Sequence, residues 1–193
     1  DTLSDIAEIV CSVTSASSVG KYEITGNGIN KNYAITFETG HYSVTKRAIT
    51  VTIDDKTSVY GEALAELTAN VTSGSIVNGD ENVYTLKAIT AKNVGEYVIT
   101  TDADKDNANY AITVTNGIYT ITKRAITVSV EDKSSVYGNE LEALTSTLKD
   151  GTIVEGDSLA AIVKLSKEAG ENAGKYAITA ECVNGNYAVK FVY

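Results

Sequence analysis

The sequence predicts an all-β protein built from tandem copies of one small module. Apolar and polar residues alternate wherever the pattern is clear, and long stretches of the chain recur at a fixed spacing. The chain has 12 Tyr among 193 residues, and tyrosine and threonine suit a pleated, half-buried surface. Together these observations favour many short strands over helices.

The recurrence is extensive enough to show duplication. Residues 47–80 and 124–157 are identical at 19 of 34 positions without a gap. In this register residues 1–46 match the C-terminal half of a module, 47–123 form a complete module, and 124–193 form a module that lacks its last strand. Ten tyrosines lie in repeat register: Tyr22, Tyr97 and Tyr176; Tyr33, Tyr110 and Tyr187; Tyr42 and Tyr119; Tyr60 and Tyr137.

The alternation places strands within each module. Ile49, Val51 and Ile53 alternate with threonines, and the same pattern recurs from Ile126. Asn116-Gly117 separates two alternating runs, which predicts a hairpin with a type I′ turn. The inward parity then changes across Lys123-Arg124, so the chain must cross a bulge or pass from one core to another.

Six or seven short strands in a module predict tandem small β-sandwich modules of the immunoglobulin-like type. The alternative is a β-grasp-like module with one short helix. That helix would begin near Asp157, which has the side chain of an N-cap residue and precedes Leu159 to Ile162.

Composition excludes several functions. The net charge is −9, which disfavours nucleic acid as a partner because phosphate recognition needs a positive surface. No apolar run has the roughly 20 residues that span a bilayer, so we expect no membrane insertion in this fragment. The single His removes most catalytic triads and multi-His metal sites, and we expect no enzyme, no catalytic residue and no cofactor. The start at Asp1 indicates a fragment or a processed product.

Several motifs occur in an order that is similar to one known family. They are Lys46-Arg47-Ala48-Ile49-Thr50-Val51, Val59-Tyr60-Gly61, Asn78-Gly79-Asp80, Gly95-Glu96-Tyr97 and Asn109-Tyr110. This set resembles the MBG-type repeat (YGX class) of large bacterial cell-surface proteins and adhesins. The resemblance implies a secreted or wall-attached array at the cell surface, and it transfers no catalytic residue. The Pro that often follows Tyr-Gly in that family is absent here.

The best metal candidate is a weak calcium loop at Asp102, Asp104 and Asp106, because alternating carboxylates supply the hard oxygen ligands that Ca²⁺ prefers. The other copies do not repeat these ligands, and a solvated acidic turn is the competing interpretation. We expect the repeated tyrosines to be structural, and Tyr84 and Tyr193, outside the register, to lie at the surface. Cys11 and Cys182 are expected to be free, mostly buried thiols.

The expected function is therefore a non-catalytic, extracellular repeat region of a bacterial surface protein that acts as a stalk or as a multivalent adhesion array. Neighbouring modules, host glycan or mucin are the partners considered. Two alternatives stay open: a carbohydrate- or mucin-binding module, and an accessory region of a secreted enzyme. The sequence names no ligand-binding residue.

Overall fold

The computed structural model describes residues 2–102 and 107–193. Over these residues the chain is all-β, with two single-turn helices. The strands are β1 (Ala7–Cys11), β2 (Gly20–Gly28), β3 (Gly40–Val44), β4 (Arg47–Ile53), β5 (Lys56–Val59), β6 (Ala69–Ser73), β7 (Gly95–Ile99), β8 (Tyr110–Thr115), β9 (Gly117–Thr122), β10 (Arg124–Val130), β11 (Ser146–Asp150), β12 (Val163–Lys167), β13 (Ile178–Cys182) and β14 (Tyr187–Val192). The helices are α1 (Leu3–Ile6) and α2 (Leu159–Ile162).

The strands are distributed over two compact units. Unit 1 comprises the described residues of Asp1–Ile53, Thr68–Lys87 and Thr100–Asn116, and unit 2 comprises Asp54–Leu67, Ala88–Ile99 and Gly117–Tyr193. The complete repeat copy thus contributes strands to both units. The repeat boundaries after residues 46 and 123 stay predictions, since a unit of compact contact and a copy of a sequence repeat are different divisions of the chain.

Unit 1 holds two three-stranded sheets. The first has the order β1-β2-β3 and is antiparallel throughout. In the second, of order β6-β4-β8, the central strand β4 pairs antiparallel with β6 and parallel with β8. Its core contains Ile49, Val51, Val83 and Tyr110, all of them buried. The alternating residues of β4 therefore face this core, as predicted.

Unit 2 also holds two three-stranded sheets. Strand β9 lies between β5 (parallel) and β7 (antiparallel), and β10 lies between β11 (antiparallel) and β14 (parallel). A further hairpin pairs β12 with β13. The core contains Ile126, Val128, Ile162, Val163 and Tyr187. Two of these core positions, Ile126 and Val128, are the counterparts of Ile49 and Val51 in unit 1.

The all-β prediction is confirmed, whereas the immunoglobulin-like sandwich is not. In residues 124–193 the hairpin β10–β11 is extended by the parallel strand β14, with the one-turn helix α2 on the connection. This arrangement agrees better with the β-grasp-like alternative. The helix is capped by Ser158, whose side chain accepts a hydrogen bond from the N–H of Ala161. The prediction of Asp157 as N-cap is therefore wrong.

The predicted hairpin at Asn116-Gly117 is also wrong. Strand β8 pairs with β4 in one sheet, whereas β9 pairs with β5 and β7 in another. The pair therefore marks a crossing between sheets and not a turn within one. The change of parity at Lys123-Arg124 has the same cause, because β9 ends one sheet and β10 begins the next.

Equivalent β-bulges interrupt the antiparallel pairs β4–β6 and β10–β11, between Thr50 and Val51 and between Thr127 and Val128. Gly74 follows the partner strand β6 with a φ of +75°, and a Cβ at this position would lie 2.4 Å from the carbonyl oxygen of Ala48. Gly79 has a φ of +94°, but no atom lies within 4 Å of the place that a Cβ would occupy there. The first glycine is thus required by both conformation and space, the second by conformation alone.

We expect Gly74→Ala to lower the free energy of unfolding by about 3 kcal/mol, because left-handed strain adds to a backbone clash. Gly79→Ala is the matched control and should lose about 1 kcal/mol, the cost of the positive φ alone. Urea denaturation of the two variants measures both values. Equal losses would contradict the proposed close approach at Gly74.

Candidate functional site

The sheets β6-β4-β8 and β11-β10-β14 each contain one buried tyrosine whose hydroxyl donates a hydrogen bond to an aspartate carboxylate. Tyr187 is 1% exposed, and its hydroxyl donates to Asp157 Oδ2 at 2.7 Å. Tyr110 is 4% exposed, and its hydroxyl donates to Asp80 Oδ2 at 2.5 Å. Each hydroxyl also accepts the backbone N–H of the residue three positions before that aspartate, at 3.0 Å and 2.8 Å. The hydroxyl therefore fixes the Gly-Asp turn of the repeat onto the first residue of β14 or β8.

In unit 2 a second tyrosine joins this cluster from the preceding repeat copy. The hydroxyl of Tyr60 donates to Asp157 Oδ2 at 3.1 Å. Its ring meets that of Tyr187 edge to face, with the centroids 5.6 Å apart at an interplanar angle of 75°. Arg124 Nε donates to the carbonyl oxygen of Tyr60 at 2.8 Å, and its guanidinium lies 3.4 Å from the carboxylate of Glu62. The Tyr-Gly loop of one copy is thus held by the next copy.

The Asn-Tyr motif makes a further contact between copies. Asn186 Oδ1 accepts the N–H of Val94 at 2.9 Å, and Asn186 Nδ2 donates to Asn93 Oδ1 at 3.1 Å. In unit 1, Asn109 Oδ1 accepts the N–H of Val19 at 3.1 Å in the same way. Both units therefore join two copies through an asparagine one residue before the buried tyrosine.

The tyrosines at a third repeat position form hydrogen bonds with the backbone just before their own strand. The hydroxyls of Tyr22, Tyr97 and Tyr176 each donate to the carbonyl oxygen four residues earlier, at 2.7, 2.9 and 2.7 Å. This is the local bond of a tyrosine corner. At Gly95, two residues before Tyr97, a Cβ would lie 3.2 Å from the tyrosine hydroxyl oxygen, whereas at Gly20 and Gly174 it would make ordinary contact with the ring, at 3.5 and 3.7 Å.

The surroundings of Tyr187 and Tyr60 in unit 2 and of Tyr110 in unit 1 raise the pKa of each tyrosine hydroxyl. Burial is the first cause of the raised pKa of Tyr187, Tyr110 and Tyr60, and the neighbouring aspartate is a further cause in each, through its hydrogen bond and its charge. A phenolate beside a carboxylate would be repelled, so the neutral hydroxyl is retained. The arrangement therefore suits a structural clasp.

The predicted calcium loop is only partly described. Asp104 and Asp106 lie outside the described residues. Asp102 is exposed, and its backbone N–H donates to the carbonyl oxygen of Thr85 at 3.2 Å. Within residues 2–102 and 107–193 no group of three or more His, Cys, Asp or Glu side chains is placed to hold a metal ion. Calcium binding stays a prediction.

Several residues lie elsewhere than predicted. Tyr193 is 71% exposed, as expected, but Tyr84 packs against the core of unit 1 and its hydroxyl donates to the carbonyl oxygen of Ala69 at 3.4 Å. Cys11 and Cys182 are both free, but Cys11 is exposed, so its predicted burial is wrong. Sequence reasoning also missed Asp80 and Asp157 as tyrosine partners. The signal was present, since both aspartates lie in repeat register with the tyrosines.

These features define a class of protein: an all-β tandem repeat in which tyrosines and asparagines at repeated positions clasp one copy to the next. The family model of the MBG domain (YGX type) matches residues 49–120 and 126–193, which together cover more than half of the chain. The chain belongs to this family, which indicates a repeat region of a surface protein. No curated protein and no solved structure matches the chain. Among the described residues, no helix has the length and apolar character needed to cross a bilayer.

The raised tyrosine pKa values give the cluster a defined pH dependence. Each of these tyrosines has a higher pKa in the folded state than its unfolded value of about 10. Its contribution to the free energy of unfolding is therefore fully present below about pH 10. It is then lost as the pH rises through the folded-state pKa. We expect alkaline unfolding to begin above about pH 10, as measured by circular dichroism.

Replacing each aspartate in turn tests the tyrosine–aspartate contacts of the two units separately. Asp157→Asn removes the carboxylate charge beside Tyr187 and Tyr60, so the pKa of both should fall in a titration of tyrosinate absorbance. Asp80→Asn is the matched variant and should lower the pKa of Tyr110 while leaving the unit 2 tyrosines unchanged. An unchanged titration in both variants would show that the carboxylates do not act on these hydroxyls.

Proposed function

We propose that this chain is a non-catalytic stalk or spacer within an extracellular repeat region of a bacterial surface protein. The observation that carries the proposal is the contact of Tyr60, from one repeat copy, with Asp157 and Tyr187 of the next. A flexible linker would leave consecutive copies independent of each other. Here they share a hydrophobic core and specific hydrogen bonds within one compact unit.

The contacts between copies are of the kind that resists extension. Strand β9 from the complete copy is paired along both edges, and two residues later β10 begins the sheet of the following copy. Tyr60 packs against the buried cluster of that copy together with Val154. Separating the copies would expose this apolar surface and leave the carboxylate of Asp157 without one of its hydroxyl partners. Both changes cost free energy.

The adhesive alternative depends on exposed aromatic side chains. Tyr33 and Tyr42 are 47% and 52% exposed, and a row of such tyrosines on repeated copies would give multivalent, individually weak binding. Their repeat counterparts Tyr110, Tyr119 and Tyr187 are instead buried in the protein interior. The spacer proposal therefore has the stronger structural support. It predicts that the chain does not bind a glycan or mucin array, and binding that is lost in Tyr33→Ala would instead support adhesion.

The direct test of the stalk is mechanical. We expect Tyr60→Phe, held by its ends in single-molecule force spectroscopy, to unfold unit 2 at a lower force than the unmodified chain. The variant loses one hydroxyl bond to Asp157, which should also lower the free energy of unfolding by about 1 kcal/mol.

Tyr137→Phe is the matched control, because Tyr137 is the repeat counterpart of Tyr60 and is 76% exposed. Its unfolding force and its free energy of unfolding should equal those of the unmodified chain. If Tyr60→Phe also behaves like the unmodified chain, the clasp does not transmit force between copies and the stalk proposal fails.

A further inference from the structure

Tension along a chain of repeats enters each copy at its first strand and leaves it at its last strand. In the complete copy these strands are β4, which begins at Arg47, and β9, which ends at Thr122. The hydrogen bonds that carry the load are those that join the beginning of the copy to its end. The pairing of the first and last strands therefore decides how the copy resists extension.

The first two strands of the complete copy pair in parallel with its last two strands. Arg47 of β4 lies opposite Tyr110 of β8, and Lys56 of β5 lies opposite Tyr119 of β9. Both pairs therefore have the same offset of 63 residues, although they belong to different sheets. Neither side gains or loses a residue relative to the other where the chain passes from one sheet to the next.

A side chain joins the two sides at that passage. The pairing of β4 with β8 ends at Thr52, and the pairing of β5 with β9 begins at Lys56. Between these pairs, Asp55 Oδ1 accepts the N–H of Ile118 at 2.7 Å. Ile118 follows Asp55 by the same 63 residues, so this carboxylate takes the place of a backbone acceptor in the register. We call the two parallel pairs and the Asp55 contact together the parallel ladder.

Backbone hydrogen bonds hold both ends of the parallel ladder. Where the chain enters, the N–H of Arg47 donates to the carbonyl oxygen of Asn109 at 2.9 Å. Where the chain leaves, the N–H of Tyr60 donates to the carbonyl oxygen of Thr122 at 2.9 Å. Thr122 Oγ1 also donates to the carbonyl oxygen of Ser58 at 3.2 Å. The residues that tension reaches first are therefore bonded across the ladder.

The direction of the strands decides how tension acts on these bonds. In each parallel pair the chain enters at the first residue of one strand and leaves at the last residue of its partner. Because the strands run in the same direction, these residues lie at opposite ends of the pair. Pulling then slides one strand along the other and loads their hydrogen bonds together. If the chain entered and left at the same end, the bonds would open one after another, each at a lower force.

We propose that the parallel ladder is the element of the repeat that bears mechanical load, a role that rests on the stalk function proposed above. Through the ladder, the load passes directly from residues 47–59 to residues 110–122 and bypasses the chain between them, which holds the antiparallel partners β6 and β7. Forced unfolding is governed by the unfolding rate, so the ladder sets the lifetime of the folded copy under tension. The following copy has the same element, since Arg124 lies opposite Tyr187 at the same offset.

The test compares two pulling directions on the full chain in single-molecule force spectroscopy at constant force. Both chains carry Cys11→Ser and Cys182→Ala. In the first chain, Thr45→Cys and Lys123→Cys provide the attachment points, so tension acts as it does along the native chain. In the second, Thr45→Cys and Ala108→Cys provide them, at the same end of the β4–β8 pair. All three attachment positions are exposed.

We expect the first chain to have a lifetime at least about tenfold longer than the second at equal force, because several ladder bonds must break together instead of one at a time. Equal lifetimes in the two directions would overturn the proposal. The stalk proposal fails separately, through an unchanged unfolding force in Tyr60→Phe, because the hydroxyl of Tyr60 lies outside the ladder.

Asp55→Ala tests whether the passage between the sheets is part of the loaded element. It removes one hydrogen bond from the ladder and should shorten the lifetime of the chain pulled through positions 45 and 123 about fivefold. The lifetime of the chain pulled through positions 45 and 108 should stay unchanged, since that direction opens the β4–β8 pair first. Asp55→Asn keeps an accepting oxygen and should restore the lifetime.

Thr72→Val is the matched control, because it removes a hydrogen bond from an antiparallel pair instead. Thr72 Oγ1, on β6, lies 2.9 Å from Thr52 Oγ1, on β4. The variant should have the lifetime of the unmodified chain when it is pulled through positions 45 and 123. A loss in Thr72→Val as large as that in Asp55→Ala would overturn the proposal, by showing that the load is not confined to the parallel ladder.

Discussion

The structure depends on one parallel strand pairing, which occurs in both the β6-β4-β8 sheet and the β11-β10-β14 sheet. Arg47 of β4 lies opposite Tyr110 of β8, and Arg124 of β10 lies opposite Tyr187 of β14. This pairing closes a sheet between residues far apart in sequence. It leaves the last strand of the complete copy, β9, outside that sheet. Strand β9 pairs instead with β5 and β7 in the other unit.

The same constraint explains the tyrosine excess. The parallel pairing buries the tyrosine at the start of β8 or β14, where its hydroxyl meets the aspartate of the Gly-Asp turn. The displacement of β9 buries Tyr119, and the loop after β5 brings Tyr60 onto the following copy. A tyrosine suits all these places because it supplies apolar area and a hydroxyl that reaches a polar group at the edge of the core. Duplication then multiplies each position.

Local sequence patterns predicted those features of the fold that depend on residues close together in the sequence. The alternation of Ile49, Val51 and Ile53 predicted a strand with one buried face. The repeat register predicted structural tyrosines, which is correct for Tyr110, Tyr119 and Tyr187, whereas Tyr42 and Tyr137 are 52% and 76% exposed. The change of parity at Lys123-Arg124 predicted a bulge or a passage from one core to another, and the structure has a passage between sheets. Asn116-Gly117 misled because the turn signal is local, whereas the partners of β8 and β9 lie far away in sequence. Asp157 misled for a similar reason: its side chain is held by Tyr187 and Tyr60, and Ser158 caps the helix instead.

The central claim is that the chain folds in units that combine parts of consecutive repeat copies. Native-state hydrogen exchange, resolved by strand and followed with denaturant, tests it most directly. The account predicts that the amides of β5, β7 and β9 open together with those of β10 and β14, and separately from those of β4 and β8. If the strands of residues 47–123 open as one group, distinct from residues 124–193, the interleaved units are contradicted and each repeat copy folds by itself.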